Sequence, residues 1–240
     1  MKIISVASLK GGAGKTAVSV FLSQLLSEKL SVLAVDLDHN NNLTDYFLRT
    51  TDADKIESAN VYHVLTGKRA TNDCIYTLND THLSVLPATP SLARIGLELS
   101  RDPGAILRFA KTLRKLDFKT IVIDTPPALC LELSCALYAS EVVLSPVSFS
   151  RWTVQGFSLL KDEIQNVSDA IGKSPELLAL PAQVNAAQEK KLRFTAFADF
   201  TESSIHRNAG IKSACDSGKY LRKASGSYAQ FKSLARELVC

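Results

Sequence analysis

The chain has 240 residues, 46% of them hydrophobic and 22% charged, with a formal net charge of +4 at pH 7. That length fits one large α/β domain over residues 1–240, undivided by repeats or low-complexity linkers, and no apolar run approaches the roughly 18 residues needed to cross a bilayer. The cysteines (Cys74, Cys130, Cys135, Cys215, Cys240) are odd in number and contain no CxxC pair, against a disulfide framework or zinc site, and the first strand starts too early for a signal peptide; a cytoplasmic protein with reduced thiols is expected.

The first predicted strand, Ile3–Ala7, runs into Leu9-Lys10-Gly11-Gly12-Ala13-Gly14-Lys15-Thr16 and then a helix predicted over Ala17–Lys29. Strand, glycine-rich turn and helix N-terminus present backbone N–H groups and the positive end of the helix dipole to one small volume, which triphosphate oxygens fit. Gly11, Gly12 and Gly14 reach backbone angles closed to residues with a Cβ and let phosphates approach the chain. Lys15 would set its ammonium on the β- and γ-phosphates, and the Thr16 hydroxyl would ligate Mg²⁺.

The second strand, Ser31–Asp36, delivers Asp36-Leu37-Asp38-His39-Asn40, two carboxylates flanking one residue. A strand at Leu83–Pro87 and helices at Leu92–Ser100 and Ala105–Leu116 lead to the β-branched strand Thr120–Asp124, which ends in Asp124-Thr125-Pro126-Pro127. An aspartate closing a buried strand beside a phosphate loop belongs to the outer Mg²⁺ shell, and one facing the γ-phosphate orients the attacking water. Taken singly, each acidic strand end serves equally well as a cap or turn former. Convergence of several strand ends on one phosphate site is what gives them weight.

The remaining elements are a helix at Leu131–Ala139, a strand at Glu141–Pro146, a helix at Val154–Ala170, a strand at Leu177–Val184 and a helix at Gln188–Phe200. This alternation predicts an α/β fold: a doubly wound, mostly parallel sheet with helices on both faces and ligands beyond the carboxyl ends of its strands. From Glu189 onward there are ten Lys or Arg against five Asp or Glu, so this tail carries +5 and the first 188 residues carry −1. Such a surface suits a polyanion, nucleic acid before acidic membrane, or is an ordinary solvated face. The apolar stripe Tyr228, Phe231, Leu234, Ala235 and Leu238 is expected to pack on the core rather than on lipid.

Lys10 to Thr16, Asp36-Leu37-Asp38 and Ile121 to Pro127 resemble the deviant Walker A, Walker A′ and Walker B motifs of the ParA/Soj/MinD ATPases, most of all the short ParA partition ATPases. The likeness continues through Leu86-Pro87-Ala88, Pro146, Val154-Gln155-Gly156 and Ile205-His206-Arg207-Asn208, over nearly the whole chain. It implies a P-loop NTPase with ATP and Mg²⁺ as cofactors and an ATP-dependent sandwich homodimer. Residues carried over by position are Gly11, Gly12, Ala13, Gly14, Lys15, Thr16, Ala17 and Asn185 for the nucleotide, and Thr16, Asp36 and Asp124 for the metal. Lys10, Lys15 and Asp38 would be catalytic, with Lys10 reaching the partner's phosphates and Asp38 orienting water.

The resemblance also implies a cycle. The ATP-bound dimer binds nucleoid DNA without sequence preference, and a centromere-binding, ParB-type activator stimulates slow hydrolysis and releases it, driving plasmid or chromosome segregation. Arg207, Lys219, Arg222 and Lys223 are the candidate DNA contacts, and no stable membrane association is expected. Two departures stand out: Asp38-His39-Asn40 replaces the common Asp-Pro-Gln, and Ala17 replaces a second hydroxyl residue, both in the direction of slower turnover. A MinD-like membrane switch, a protein-cargo positioner, or an iron–sulfur carrier using Cys130 or Cys135 are the alternatives.

Overall fold

The computed structural model describes every residue except Asp80 and Cys240, and the side chains of Arg151 and Trp152 are likewise outside the description. The expectation for Cys240 thus lies outside the described residues, while Cys74, Cys130, Cys135 and Cys215 are free thiols. Strands β1 (Lys2–Val6), β2 (Val32–Asp36), β3 (Tyr76–Thr77), β4 (Leu83–Leu86), β5 (Thr120–Asp124), β6 (Val142–Val147), β7 (Glu176–Val184) and β8 (Ile205–His206) form one sheet. Their order is β3-β4-β2-β5-β1-β6-β7-β8, parallel apart from the edge pair β3 and β4.

Alternation along the central strands decides which helices cover which face. Ile4, Val6, Val32, Ala34 and Val122 face a core shared with α1 (Lys15–Ser27) and α11 (Gly226–Val239). Ile3, Leu33, Val35, Ile121 and Ile123 face the opposite core, built with α4 (Val61–Leu65), α6 (Ala105–Arg114) and α7 (Leu131–Ala139). Because both faces are covered, β2 and β5 are buried throughout and read as continuous apolar runs. The parallel register pairs Asp36 with Asp124, and Asp124 with Val6. The ends of β1, β2 and β5 are therefore flush, and the loops leaving these three strands meet at one edge.

The C-terminal stripe packs as expected: Tyr228, Phe231, Leu234, Ala235 and Leu238 are all buried in the core shared with α1. Phe21 and Phe231 meet at 5.3 Å between ring centroids. No helix among the described residues is long and apolar enough to cross a membrane.

Two predicted helices differ in extent. Leu92–Ser100 is a 3₁₀ turn, Pro90–Arg94, followed by the short α5 (Ile95–Glu98), with buried Leu92 and Ile95 three residues apart, the spacing a 3₁₀ turn eclipses. The helix expected at Gln188–Phe200 ends earlier, as α9 (Ala186–Phe194), because the backbone turns left-handed at Ala196, φ +48, beyond which Phe197 stacks edge-on against Phe157 of α8 (Arg151–Ile171) and Phe200 at 5.3 Å from each. The short helices α2 (Asn42–Leu48), α3 (Ala53–Ser58) and α4 and the more polar α10 (Ala209–Ser217) carry too little periodicity to be foreseen.

Replacing Phe231, which is 0% exposed, with alanine should destabilise the fold by about 3–5 kcal/mol, read as a lower urea midpoint. Leu97→Ala, at a position 82% exposed, should stay within about 0.5 kcal/mol of wild type.

Candidate nucleotide and magnesium site

The loop after β1 turns through two left-handed glycines, Gly12 at φ +70 and Gly14 at φ +92, the second of which is the N-cap of α1. A Cβ built at Gly11 or Gly12 would meet nothing within 4 Å, so the outer side of the loop is open to a ligand. At Gly14 the same atom would come 3.1 Å from Gln183 Nε2. Gln183 is itself left-handed, at φ +56, where β7 loses register, and its amide donates to the Gly12 carbonyl at 2.8 Å. It braces the loop from outside. Only its backbone conformation aims it there, so nothing in the sequence marks it.

Lys15 is buried at the head of α1, and its ammonium donates to the Lys10 carbonyl at 3.4 Å. Burial lowers its pKa, opposed by the charges of Asp124 and Asp38. Lys10 points elsewhere: its Nζ donates to Ser148 Oγ at 3.3 Å, at the turn between β6 and α8, rather than over its own loop.

Beneath the loop, Asp124 is held by α1. Thr16 Oγ1 donates to Oδ2 at 2.7 Å and Ser19 Oγ to Oδ1 at 2.8 Å. Thr16 and Ser19 are three residues apart and so share a helical face; that spacing is the signal by which Ser19 was findable. Asp36 lies beside Asp124, equally buried, with both oxygens engaged: Oδ2 accepts from Thr44 N–H at 2.9 Å and Thr44 Oγ1 at 2.8 Å, and Oδ1 accepts from Asp38 N–H at 3.1 Å. Burial raises the pKa of both carboxyls, and for Asp124 the neighbouring Asp36 adds to the rise. A divalent cation reverses that tendency by favouring the charged forms. Thr44 also accepts from Ala88 N–H at 2.9 Å, which gives the Leu86-Pro87-Ala88 stretch a role in holding the Asp36 loop.

Asp38 is buried at the same edge. Its Oδ1 accepts from Asn40 N–H and Asn40 Nδ2, each at 2.9 Å, while Asn41 N–H closes the turn on the Asp38 carbonyl at 2.8 Å. Oδ2 has no protein donor among the described residues. The turn thus replaces, by hydrogen bonds, the stiffness a proline at position 39 would give. His39 is half exposed, its Nδ1 3.9 Å from Asp38 Oδ1.

A cavity of about 930 Å³ continues from Gly14, Thr16 and Ala17 past Gln183 to Arg207 and Asn208. Asn185 is not among its lining residues; its side chain accepts from Gln188 N–H at 2.9 Å in a capping box on α9. Arg207 stands at this cavity, apart from Lys219, Arg222 and Lys223, which are exposed in the connection between α10 and α11. Among the described residues no cluster of His, Cys, Asp and Glu forms a preassembled metal site. The donor set at the loop instead fits Mg²⁺ brought with phosphates: one hydroxyl, one carboxylate behind it, and an open glycine cradle.

Fold and site together define a P-loop nucleotide-binding protein of the deviant Walker type. The AAA domain family model matches residues 1–177. The chain is 31% identical over 179 residues to the chromosome partitioning protein ParA of Myxococcus xanthus, a match covering 73% of this chain and 62% of that one. It is 29% identical over 230 residues to a ParA family protein of Chlamydia trachomatis, covering 91% and 89%. The structure of apo McdA from Cyanothece superimposes with a TM-score of 0.89 over 100% of both chains at 20% identity, a likeness of fold alone. The chain belongs to the ParA/Soj/MinD family of ATPases. Membership gives the loop its cofactors, ATP and Mg²⁺.

Thr44→Val should destabilise the protein by about 1–3 kcal/mol, because it leaves Asp36 and Ala88 N–H each short of a buried partner. Thr44→Ser should restore most of the loss in a thermal melt.

Proposed function

We propose that this chain is a partition ATPase: an ATP-dependent homodimer that holds DNA without sequence preference and lets go when a ParB-type, centromere-binding partner stimulates hydrolysis. The observation that carries this reading is the divergence of the two loop lysines. Lys15 lies buried in its own loop, whereas Lys10 extends to Ser148 at the β6–α8 turn. A lysine turned away from its own phosphate cradle is suited to reach a partner's, and Leu129, Phe149 and Val154 are exposed apolar side chains on the segments after β5 and β6.

In this reading Lys15 and the loop N–H groups grip the triphosphate, and Thr16 with Asp124 behind it receives the metal. Mg²⁺ when bound neutralises phosphate charge. Asp38, oriented by Asn40 through one oxygen, keeps the other for the attacking water. Lys10 of one subunit stabilises charge on the other subunit's phosphates, so turnover waits for dimerisation. Asp36 acts by holding Asp38 and Thr44 rather than by touching the nucleotide.

The basic tail supplies the DNA face. Lys219, Arg222 and Lys223 are exposed together on one connection, as phosphate contacts require. The buried C-terminal stripe supports DNA over membrane as the polyanion.

Lys10→Ala should retain ATP binding but lose about 10³-fold or more in partner-stimulated kcat, measured by phosphate release; full turnover in that variant overturns the trans role. Removing Mg²⁺ with EDTA should abolish turnover in wild type. Reversing charge at Lys219, Arg222 and Lys223 should abolish DNA retention at physiological salt while leaving ATP titration unchanged. Unchanged retention would sink the assignment of that face.

A further inference from the structure

Helix α2 stands between two parts of the molecule that the partition reading uses separately, the Asp36–Asp38 loop and the basic connection from α10 to α11. Its beginning is fixed to the loop. Thr44 donates twice to Asp36, and the Asn41 N–H, directly before α2, bonds the Asp38 carbonyl at 2.8 Å.

Its far side is fixed to the connection. The Tyr46 hydroxyl donates to the Lys219 carbonyl at 2.7 Å and accepts from Gln24 Nε2 of α1 at 2.9 Å. An amide nitrogen only donates, so the phenolic proton is committed to Lys219. Burial raises the Tyr46 pKa to about 12, which keeps that proton in place at neutral pH. The ring is clamped edge-on by Phe21 at 6.0 Å and Phe47 at 5.0 Å. Arg49, the residue after α2, lies against Gly218: a Cβ there would come within 2.9 Å of the guanidinium carbon. Gly218 is the left-handed C-cap of α10 at φ +64, and Lys219, Arg222 and Lys223 come directly after it.

Between these two attachments lies the 930 Å³ cavity. Asn42, Tyr46 and Arg49 line it from the side of α2, and Lys212 and Cys215 from α10. A seven-residue helix is about 10 Å long and stiff over that length, so a displacement at one end is delivered to the other.

We infer that α2 is a strut that ties the placement of the Lys219–Lys223 segment to the occupancy of the nucleotide cavity, with the Tyr46 hydroxyl as its joint. The inference rests on the partition reading for what the segment binds, but not for the coupling itself. A nucleotide that changes the spacing of α2 and α10 changes the strain on the Tyr46–Lys219 bond, and linkage makes the effect reciprocal: DNA on the segment alters nucleotide affinity by the same factor.

The test is hydrogen exchange on the full chain with and without saturating AMPPNP and Mg²⁺. In wild type the amides of residues 218–225 should change exchange rate by about fivefold or more on nucleotide addition, the lower end of measured couplings. In Tyr46→Phe, which removes the joint and keeps the ring, that difference should fall below about twofold at saturating nucleotide, and the ratio of DNA affinities with and without nucleotide should fall with it. An unchanged difference in Tyr46→Phe overturns the inference. So does a wild-type segment indifferent to nucleotide, a result independent of how the variant folds. A wild-type protein whose segment responds to nucleotide but which binds no DNA in either state defeats the partition reading and supports the strut.

Discussion

Two aspartates buried side by side are the constraint around which this molecule is arranged. The register of β2 on β5 sets Asp36 and Asp124 opposite each other at the sheet's carboxyl edge. Adjacent carboxylates without water are expensive to ionise, and unpaired buried charge is among the costliest things a fold can contain. The surrounding sequence is an answer to that cost. Thr16 and Ser19 donate to Asp124, and Thr44 and the Asp38 N–H donate to Asp36. Lys15 and an incoming cation supply the positive charge. A cation at this edge relieves that tension by favouring the charged forms of both carboxyls, while Lys15 and the N-terminus of α1 are what favour phosphate.

The same donors define the geometry of function. Asp36 uses both oxygens on the loop that carries Asp38 and Thr44, and Asp124 uses both on the first turns of α1, so the two carboxylates fix the two segments that flank the phosphate loop. Because Asn40 uses one oxygen of Asp38, the other is oriented. The Asp38-His39-Asn40 departure is thus a change of means: a proline restrains the backbone through φ alone, whereas Asn40 and Asn41 restrain it through three hydrogen bonds. The departure leaves the Asp38 carboxylate itself in place.

Legibility in the sequence depended on the reach of each signal. Strands β1, β2, β5 and β6 were visible because burial on both faces makes them near-continuous apolar runs, and the phosphate loop because its chemistry is written in consecutive residues. Ser19 lay within reach through helical spacing. Gln183, Thr44 and Tyr46 did not, since each acts through a partner distant in sequence: Gly12, Ala88 and Lys219 respectively. Asn185 has its side-chain oxygen engaged locally, on α9. It lies just beyond Gln183 in the chain, and a register shift at the end of β7 sends one side chain to the loop and leaves the other capping α9.

The short helices carry the least sequence signal and the most connectivity. A seven-residue helix has no room for an apolar stripe long enough to betray its period, and its stability comes almost wholly from what it touches. α2 touches the aspartate loop, the first helix, the wall of the cavity and the turn out of α10. An element held by contacts at both ends, rather than by its own propensity, moves when either end moves. That dependence makes α2 hard to foresee, and it is also the property a coupling element between nucleotide and DNA needs.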